Sequence, residues 1–408
     1  MARLKRLTDR LNLKEFQLRA LLDITKAINN NEEKAELLKL YAGIMHNDLG
    51  VTRLMYFEKV DTWECVQALS DGEIDEVPDV ATLMESCRDI QFIGSEDGKG
   101  LGRFDIAIPV FHQERALALL LIGDIDDDEH RMSPTVKHLN FFQTLTNLIA
   151  VALENKRFAI RALAQERDRR ELELAADMQM MLVPKDLPND ARIQAAAWYQ
   201  PHQQVGGDYY DVIRSGPDEL VLCVADVSGK GIAAALLMSN FQATLRALVQ
   251  RGRGPLDGLV RELNANVLER ARGERFITLF IARVDLRTGV MEYVNAGHNP
   301  PMLSRPGVPI TELSDGAIAL GMLQELPFVQ VGKVDVNGSV LLCYTDGLVE
   351  QEDAQGIAFE SQPVRKTLEL LSGASPQAIN DALIATFENH RGGLPYLDDI
   401  ALLTCRFR

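Results

Sequence analysis

Four aspartates carry the chemistry that this 408-residue chain displays most openly. Asp208 stands in VGGDYYDV, Asp226 in CVADVSGKG, Asp346 in CYTDGLVE, and Asp398, with Asp399 beside it, in LPYLDDIALL. Each sits where a strand meets a tight turn. Strand ends are rigid and converge at the edge of a sheet, and carboxylates gathered there repel one another unless cations neutralise them. Oxygen-only donor sets suit hard ions such as Mg²⁺ or Mn²⁺ rather than zinc. The chain has no clustered His/Cys set that would argue for a softer metal. Singly, GGD and TDG are common turn sequences. The informative fact is four such sites, in order, within one region.

The neighbours of these aspartates read more plainly. Ser228-Gly229-Lys230-Gly231 precedes the helical run GIAAALLM, so its amides could face an anion at a helix N-terminus. It lacks the GxxxxGK[ST] spacing of a nucleotide-binding loop and reads first as a turn that carries the helix across the metal edge. Five cysteines, Cys65, Cys87, Cys223, Cys343 and Cys405, are scattered without a CxxC pair. They read as reduced core thiols of a cytoplasmic protein.

The elements that must position the aspartates follow from periodicity. After about residue 186 the strand-like runs are ELVLCVAD, FITLFIARVD, GVMEYVNAG, SVLLCYTDG and DDIALLTCRF. LRTG makes a hairpin of the second and third. The helical runs GIAAALLMSNFQATLRALVQ, LDGLVRELNANVLERA and SPQAINDALIATFENH interleave with them. Antiparallel strands with helices outside predict a layered α+β domain with a β-sandwich centre. Ahead of it, residues 12–155 read as two helical patterns, then short strands (RLMYFEKV, WECVQAL, RFDIAIPVF, RALALLLIGDI), then a closing helix, a small α/β sensory-type arrangement. IGSEDGKGLG reads there as a turn-rich loop, and Asp124–His130 as a solvated acidic loop. From Thr135 to Val183 there is neither Gly nor Pro, with Ser133-Pro134 as an N-cap and Pro184 as a stop. That predicts a continuous helix reaching about 74 Å. Its charged middle, QERDRRELE, marks a linker helix, either a plain spacer or one paired with a copy of itself.

Lys plus Arg number 43 against 59 Asp plus Glu, a formal net charge of −16. That excess excludes nucleic acid and an anionic membrane surface as partners. No apolar run reaches the ~18 residues of a membrane span, and the basic start lacks the apolar core of a signal peptide.

Taken together, YQPHQQVGGDYYDVI, VLCVADVSGKGIAAALLMS, FITLFIARVDLRTGVMEYVNAGHNPPML, LLCYTDGLVEQED and DDIALL resemble the metal-dependent PPM (PP2C-like) serine/threonine phosphatases. The branch they match is SpoIIE/RsbU, and the resemblance covers about 220 residues, to the C-terminus. It implies a PPM-type αββα sandwich at 186–408, reached through a linker helix at 156–185. It also implies two Mn²⁺ or Mg²⁺ ions and a water nucleophile. Carried over motif by motif, Asp226 bridges both ions, Asp208 and the Val227 carbonyl serve the first, and Asp346 and Asp398 hold the second. Asp208 and Asp226 are thus the catalytic pair. Asp399 is left between a metal ligand and a supporting or solvent-facing residue. His298, in the NAGH pattern with Asn295 and Gly297, is either a structural histidine or a proton donor to the leaving group. Animal-type members grip phosphate with an arginine near the N-terminal strand, whereas no Lys or Arg lies between Gln194 and Ile213. The branch implies a phosphoprotein substrate, a STAS-type anti-sigma-factor antagonist; the charged linker helix is what points to a homodimer. Two alternatives stand beside this: a pseudophosphatase, and a dimeric signalling scaffold.

Residues 1–155 resemble a GAF domain in element order and in the pair IAIPVF…ALALLLIGD. Phe104-Asp105 is the only fragment of the NKFDE signature of cyclic-nucleotide binders, and Cys65 and Cys87 lack the histidine of a bilin attachment site. Protein interaction and small-molecule sensing are equally open readings of this segment. The whole reads as a cytoplasmic α+β multidomain chain.

Overall fold

Short aliphatic and β-branched runs form the strands of two separate units, residues Met1–Glu166 and Arg167–Arg408. The computed structural model describes residues 2–70, 78–93, 104–123, 134–252 and 254–408. Most of the IGSEDGKGLG loop, the acidic stretch Asp124–His130 and the cap residue Ser133 lie outside the described residues.

In the first unit, α1 (Ala2–Asn29) and α2 (Lys34–Gly43), extended by a π-helical turn Ile44–Asp48, precede β1 (Arg53–Lys59) and β2 (Trp63–Leu69). Next come α3 (Val80–Ser86), β3 (Gln91–Phe92), β4 (Ile106–His112), β5 (Arg115–Gly123) and α4 (Pro134–Met180). The sheet runs β2-β1-β5-β4-β3 with antiparallel pairing throughout. Side chains alternate between its faces. Leu54, Tyr56, Ile108, Leu120 and Ile122 meet helices α1, α2 and α4, while Met55, Phe57, Leu119 and Leu121 meet α3.

Helix α4 spans 47 residues and stops three short of Val183. Met181 N–H bonds the Met178 carbonyl at 3.2 Å and Leu182 N–H that of Gln179 at 2.8 Å, so the end tightens before Pro184. A residue ahead of proline is sterically disfavoured in the helical region, which ends the helix upstream of Val183.

In the second unit β6 (Ile193–Gln200), β7 (Tyr209–Arg214) and β8 (Glu219–Val227) lead to α5 (Ile232–Arg251) and α6 (Leu256–Ala271). Strands β9 (Ile277–Asp285), β10 (Val290–Ala296), β11 (Met302–Arg305), β12 (Val308–Glu312), β13 (Gly316–Ala317), β14 (Gly332–Asp335) and β15 (Val340–Tyr344) follow. The short helix α7 (Asp346–Val349), α8 (Ser361–Leu370), α9 (Pro376–Arg391) and β16 (Ile400–Phe407) complete the chain. One sheet runs β13-β10-β9-β8-β7, with β14 also on β10, and the other runs β12-β11-β15-β16-β6.

Strand alternation assigns the layers. On β8, Leu220, Leu222 and Val224 face the opposite sheet, where Leu341, Cys343, Ala401 and Leu403 meet them. The intervening Val221, Cys223 and Ala225 face Met238, Phe241 and Leu245 of α5 and Leu263 of α6. Helices α8 and α9 cover the far side of the second sheet through Leu368, Ile379, Leu383 and Phe387. The unit is therefore layered helix, sheet, sheet, helix. By length and composition α5 is apolar enough to cross a membrane, yet Ala234, Met238, Phe241 and Leu245 are buried on the sheet, as in a core helix.

Candidate metal centre

The four aspartates reach one edge of this sandwich from four connections. Asp226 is the penultimate residue of β8, opposite Thr278 of β9. Asp208 immediately precedes β7, Asp346 opens α7 just after β15, and Asp398 lies two residues ahead of β16. The glycines of VGGD explain how the first of these comes close. A Cβ at Gly206 would collide with the Tyr199 hydroxyl and the Asp399 carboxylate, and one at Gly207 would sit 3.0 Å from the Val227 carbonyl oxygen. Gly347 makes the same allowance on the other side, since a Cβ there would collide with the Asp399 carbonyl.

Hydrogen bonds fix these connections. Asp399 is 4% exposed and accepts from the backbone N–H groups of His202 at 2.7 Å and Gly207 at 2.6 Å. Its carboxylate therefore holds the loop that carries Asp208. Thr345, fully buried, donates its hydroxyl to Asp208 Oδ2 at 2.7 Å and accepts from Ala401 N–H at 2.8 Å. Asp398 pairs with Lys230 Nζ at 2.8 Å, and the same ammonium donates to the Leu397 carbonyl. The Ser228 loop is strapped to the start of β9: Phe276 N–H donates to Ser228 Oγ at 2.9 Å, and Arg275 Nη1 to the Ser228 carbonyl at 2.6 Å. Gly229, with φ at +85°, leaves no room for a Cβ beside that guanidinium. The loop is thus a built turn, with two cations at it.

Crowding sets the electrostatics. Burial, and then the Asp226 charge, raise the Asp208 pKa well above the carboxylate range. Asp226 is pushed up to about 7, by burial first and then by Asp346, Asp398 and Asp399, with partial relief from its hydrogen bond to Asp208. Asp346 is raised by burial and then by Glu350 and Asp398. Asp399 is raised by burial, against the two N–H donors that favour its ionised form. The Tyr199 hydroxyl, buried without a partner, is held protonated by burial and by Asp399, Asp208 and Asp226.

Among the described residues, no three His, Cys, Asp or Glu side chains converge tightly enough to hold an ion as they stand. The reason is visible in their partners: Asp208 is engaged by Thr345 and Asp226, and Asp398 by Lys230. The donor chemistry nevertheless fits hard divalent cations, being all oxygen, mutually repulsive and already drawing an ammonium to Asp398. Asp226 feels both Asp208, through a hydrogen bond, and Asp346, through its charge.

Three further residues take definite places. His298 is buried, its backbone N–H bonded to Asn295 Oδ1 and its Nδ1 2.8 Å from Thr278 Oγ1. Burial lowers its pKa to about 4, so it is neutral near pH 7 and holds the β10 turn. Asp211, in the same motif as Asp208, lies across the sheet in an ion pair with Arg246 at 2.7 and 2.9 Å. Gln179 in the last turn of α4 exchanges two hydrogen bonds with Gly206, at 2.6 and 3.1 Å. Thr345, Tyr199, Arg275 and Gln179 escaped the sequence reading. Only Thr345 carries a local signal, as a hydroxyl beside Asp346 at a strand end.

This layering and this edge define a class. Residues 216–408 match the family model of Stage II sporulation protein E (SpoIIE), and the C-terminal part of the chain is a SpoIIE-type PP2C phosphatase domain. Asp208 and the Gly206-Gly207 turn lie just upstream of the matched residues. The chain is 28% identical over 206 residues to "Phosphoserine phosphatase RsbU" of Bacillus subtilis, covering 50% of this chain and 61% of that protein. It is 29% identical over 264 residues to "Protein IcfG" of Synechocystis sp., covering 58% of this chain and 41% of that one. The chain thus spans about half the length of these curated relatives. In fold it is similar to the SiaA-PP2C domain of Pseudomonas aeruginosa, with a TM-score of 0.53 at 22% identity over 60% of this chain and 99% of that domain.

Proposed function

We propose that this chain is a metal-dependent protein serine/threonine phosphatase that hydrolyses a phosphoserine or phosphothreonine on a regulatory partner, a STAS-type anti-sigma-factor antagonist. The observation that carries this reading is the mutually repelling set of buried Asp208 and half-buried Asp226 and Asp346, with Asp398 beside it, at one edge of a SpoIIE-type domain. Asp208, Asp226 and the Val227 carbonyl would hold one Mn²⁺ or Mg²⁺, and Asp226, Asp346 and Asp398 a second. When bound, the ions supply Lewis acidity and a positive field for phosphate oxygens. The chain's own groups do the positioning. Asp399 fixes the Asp208 loop through two N–H donors, Thr345 sets the rotamer of Asp208, and Tyr199 keeps a proton beside the carboxylates. Lys230 and Arg275 bring cations that can meet the phosphate, the role that no residue of 194–213 fills. Exposed Ile232, Leu236 and Leu397 flank Lys230 and suit a protein surface rather than a small metabolite.

The regulatory part of the proposal assigns 1–155 to a GAF-like sensory domain, 156–185 to the linker and 186–408 to the phosphatase, in a cytoplasmic homodimer. Its support is local. The Gln179 carboxamide at the end of α4 grips Gly206, two residues from Asp208, so a shift of the helix end would move a metal-site loop. Exposed Phe158, Leu163, Leu174 and Met178 on α4 favour a paired helix. The test is phosphate release from p-nitrophenyl phosphate and from phospho-STAS proteins with Mn²⁺, beside Asp226→Asn. Removing an electrostatic stabiliser of this kind costs at least about 100-fold in rate. Activity that survives Asp226→Asn would overturn the site, and hydrolysis of the small phosphate without any phosphoprotein would overturn the substrate.

A further inference from the structure

A cleft of about 350 Å³ opens in the first unit between β1, β5 and the middle of α4, on the helix-covered face of its sheet, with Ile160 and Arg161 at its exposed rim. That is at the small end of the roughly 300–1,000 Å³ typical of ligand sites. Leu117, Ala150, Leu153 and Ile160 give it an apolar wall. Two polar side chains from one face of β1 also line it, and each has one buried oxygen without a partner. Tyr56 has no residual exposure and its hydroxyl has no partner, whereas the neighbouring Tyr41 hydroxyl is 2.8 Å from Thr146 Oγ1. Glu58 is 8% exposed, with Oε2 on Lys34 Nζ at 2.7 Å and Oε1 buried without a partner. Buried polar atoms in folded proteins are paired as a rule, and the exceptions mark places where something else supplies the partner.

The charge at the cleft is lopsided. Lys34, Lys156, Arg157 and Arg161 line it against only Glu58 and Glu154. Lys156 is committed to the carbonyls of Asn31 and Glu32, and Arg157 to Glu154. Arg161 makes no ion pair among the described residues, which leaves a net positive site with one free guanidinium.

We propose that this cleft binds a small amphipathic organic anion. Its apolar body lies on Leu117, Ala150, Leu153 and Ile160, its acid group meets Arg161 and the edge of Arg157, and a hydroxyl or N–H reaches Glu58 and Tyr56. A charge-assisted, bidentate contact to arginine gives the acid group its selectivity. The site lies on the opposite face of the sheet from α3, and its wall includes the stretch of α4 that runs on toward the phosphatase unit.

The test uses the full chain and 8-anilinonaphthalene-1-sulfonate, which joins aromatic rings, one N–H and a sulfonate. N-phenyl-1-naphthylamine, the same molecule without the sulfonate, is the control. The sulfonate probe is expected to saturate one site per chain and to bind at least about tenfold more tightly than the control. Arg161→Gln is expected to remove most of that difference and leave the control's affinity unchanged. Hydrogen exchange on the unsubstituted chain then locates the probe, with protection expected in residues 53–60 and 150–161. Equal affinity for the two probes, no saturable binding, or protection confined to other segments would each overturn the proposal.

Discussion

Asp226 carries a clear electrostatic consequence at the edge where the aspartates gather. Its pKa of about 7 lies above the ~3.9 of an unfolded aspartate, so the native chain holds a proton that the unfolded chain releases. Stability contributed here is therefore present below about pH 4 and is lost as pH rises toward 7. In EDTA, Asp226→Asn and the parent chain should melt alike near pH 4, with the variant melting higher at pH 8. Added Mn²⁺ should raise the parent more than the variant. Thermal denaturation across that range measures both effects, and superimposed curves at pH 8 would dismiss the carboxylate repulsion. Lys230 makes the complementary case, since its ammonium already lies against Asp398. The pair is half exposed and worth little by itself, so Lys230→Ala should tighten Mn²⁺ binding only about two- to fivefold in calorimetry. Weaker Mn²⁺ binding would mean that Lys230 assists the site rather than competing with a cation.

Among the elements, the contact of α4 with the Gly206 loop is the most consequential. Gln179 is 8% exposed and satisfies both backbone groups of Gly206. Gln179→Ala leaves a buried N–H and C=O unpaired, a loss of about 1–3 kcal/mol. We expect a lower melting temperature together with a lower phosphatase rate at a given Mn²⁺ concentration. Arg167→Ala, which removes only an exposed pair with Glu171, should change neither. Equal rates for Gln179→Ala and the parent would remove the helix end from control of the site. The elements also show where sequence reading succeeds. The apolar runs LVLCVAD and VLLCYTD and the LRTG hairpin are local and were legible. The end of α4 was misplaced by three residues because tightening ahead of Pro184 is a geometric matter of the last turn.

At the scale of the whole chain, the division of units falls inside α4, after Glu166. The second unit therefore owns the end of that helix. Val183 is 4% exposed within the core between the two sheets, and the Leu182 carbonyl accepts from Gln242. A fragment 186–408 loses both together with Gln179, and the valine alone is worth about 1.5–3 kcal/mol. We expect 167–408 to melt higher than 186–408 and to be the more active. A comparison of 167–408 with the full chain then isolates the contribution of the first unit. Equal melting of the two fragments would show that residues 167–185 contribute nothing to this fold.

Sequence alone determined which carboxylates stand at strand-to-turn junctions, because a strand's period of two and a turn's glycine are written within a few neighbouring residues. It determined the family resemblance for the same reason, since the motifs are contiguous. Only the tertiary structure decided what each acid meets. Asp208 and Asp211 are three residues apart, so the fold sends one to Thr345 and Asp226 and the other to Arg246. Asp399 became the clamp on Gly207, across 192 residues of chain, and Thr345 the partner of Asp208, across 137. The raised pKa values belong to the same class of fact. They arise from burial and from charges brought together through space, and neither quantity exists until the chain has folded.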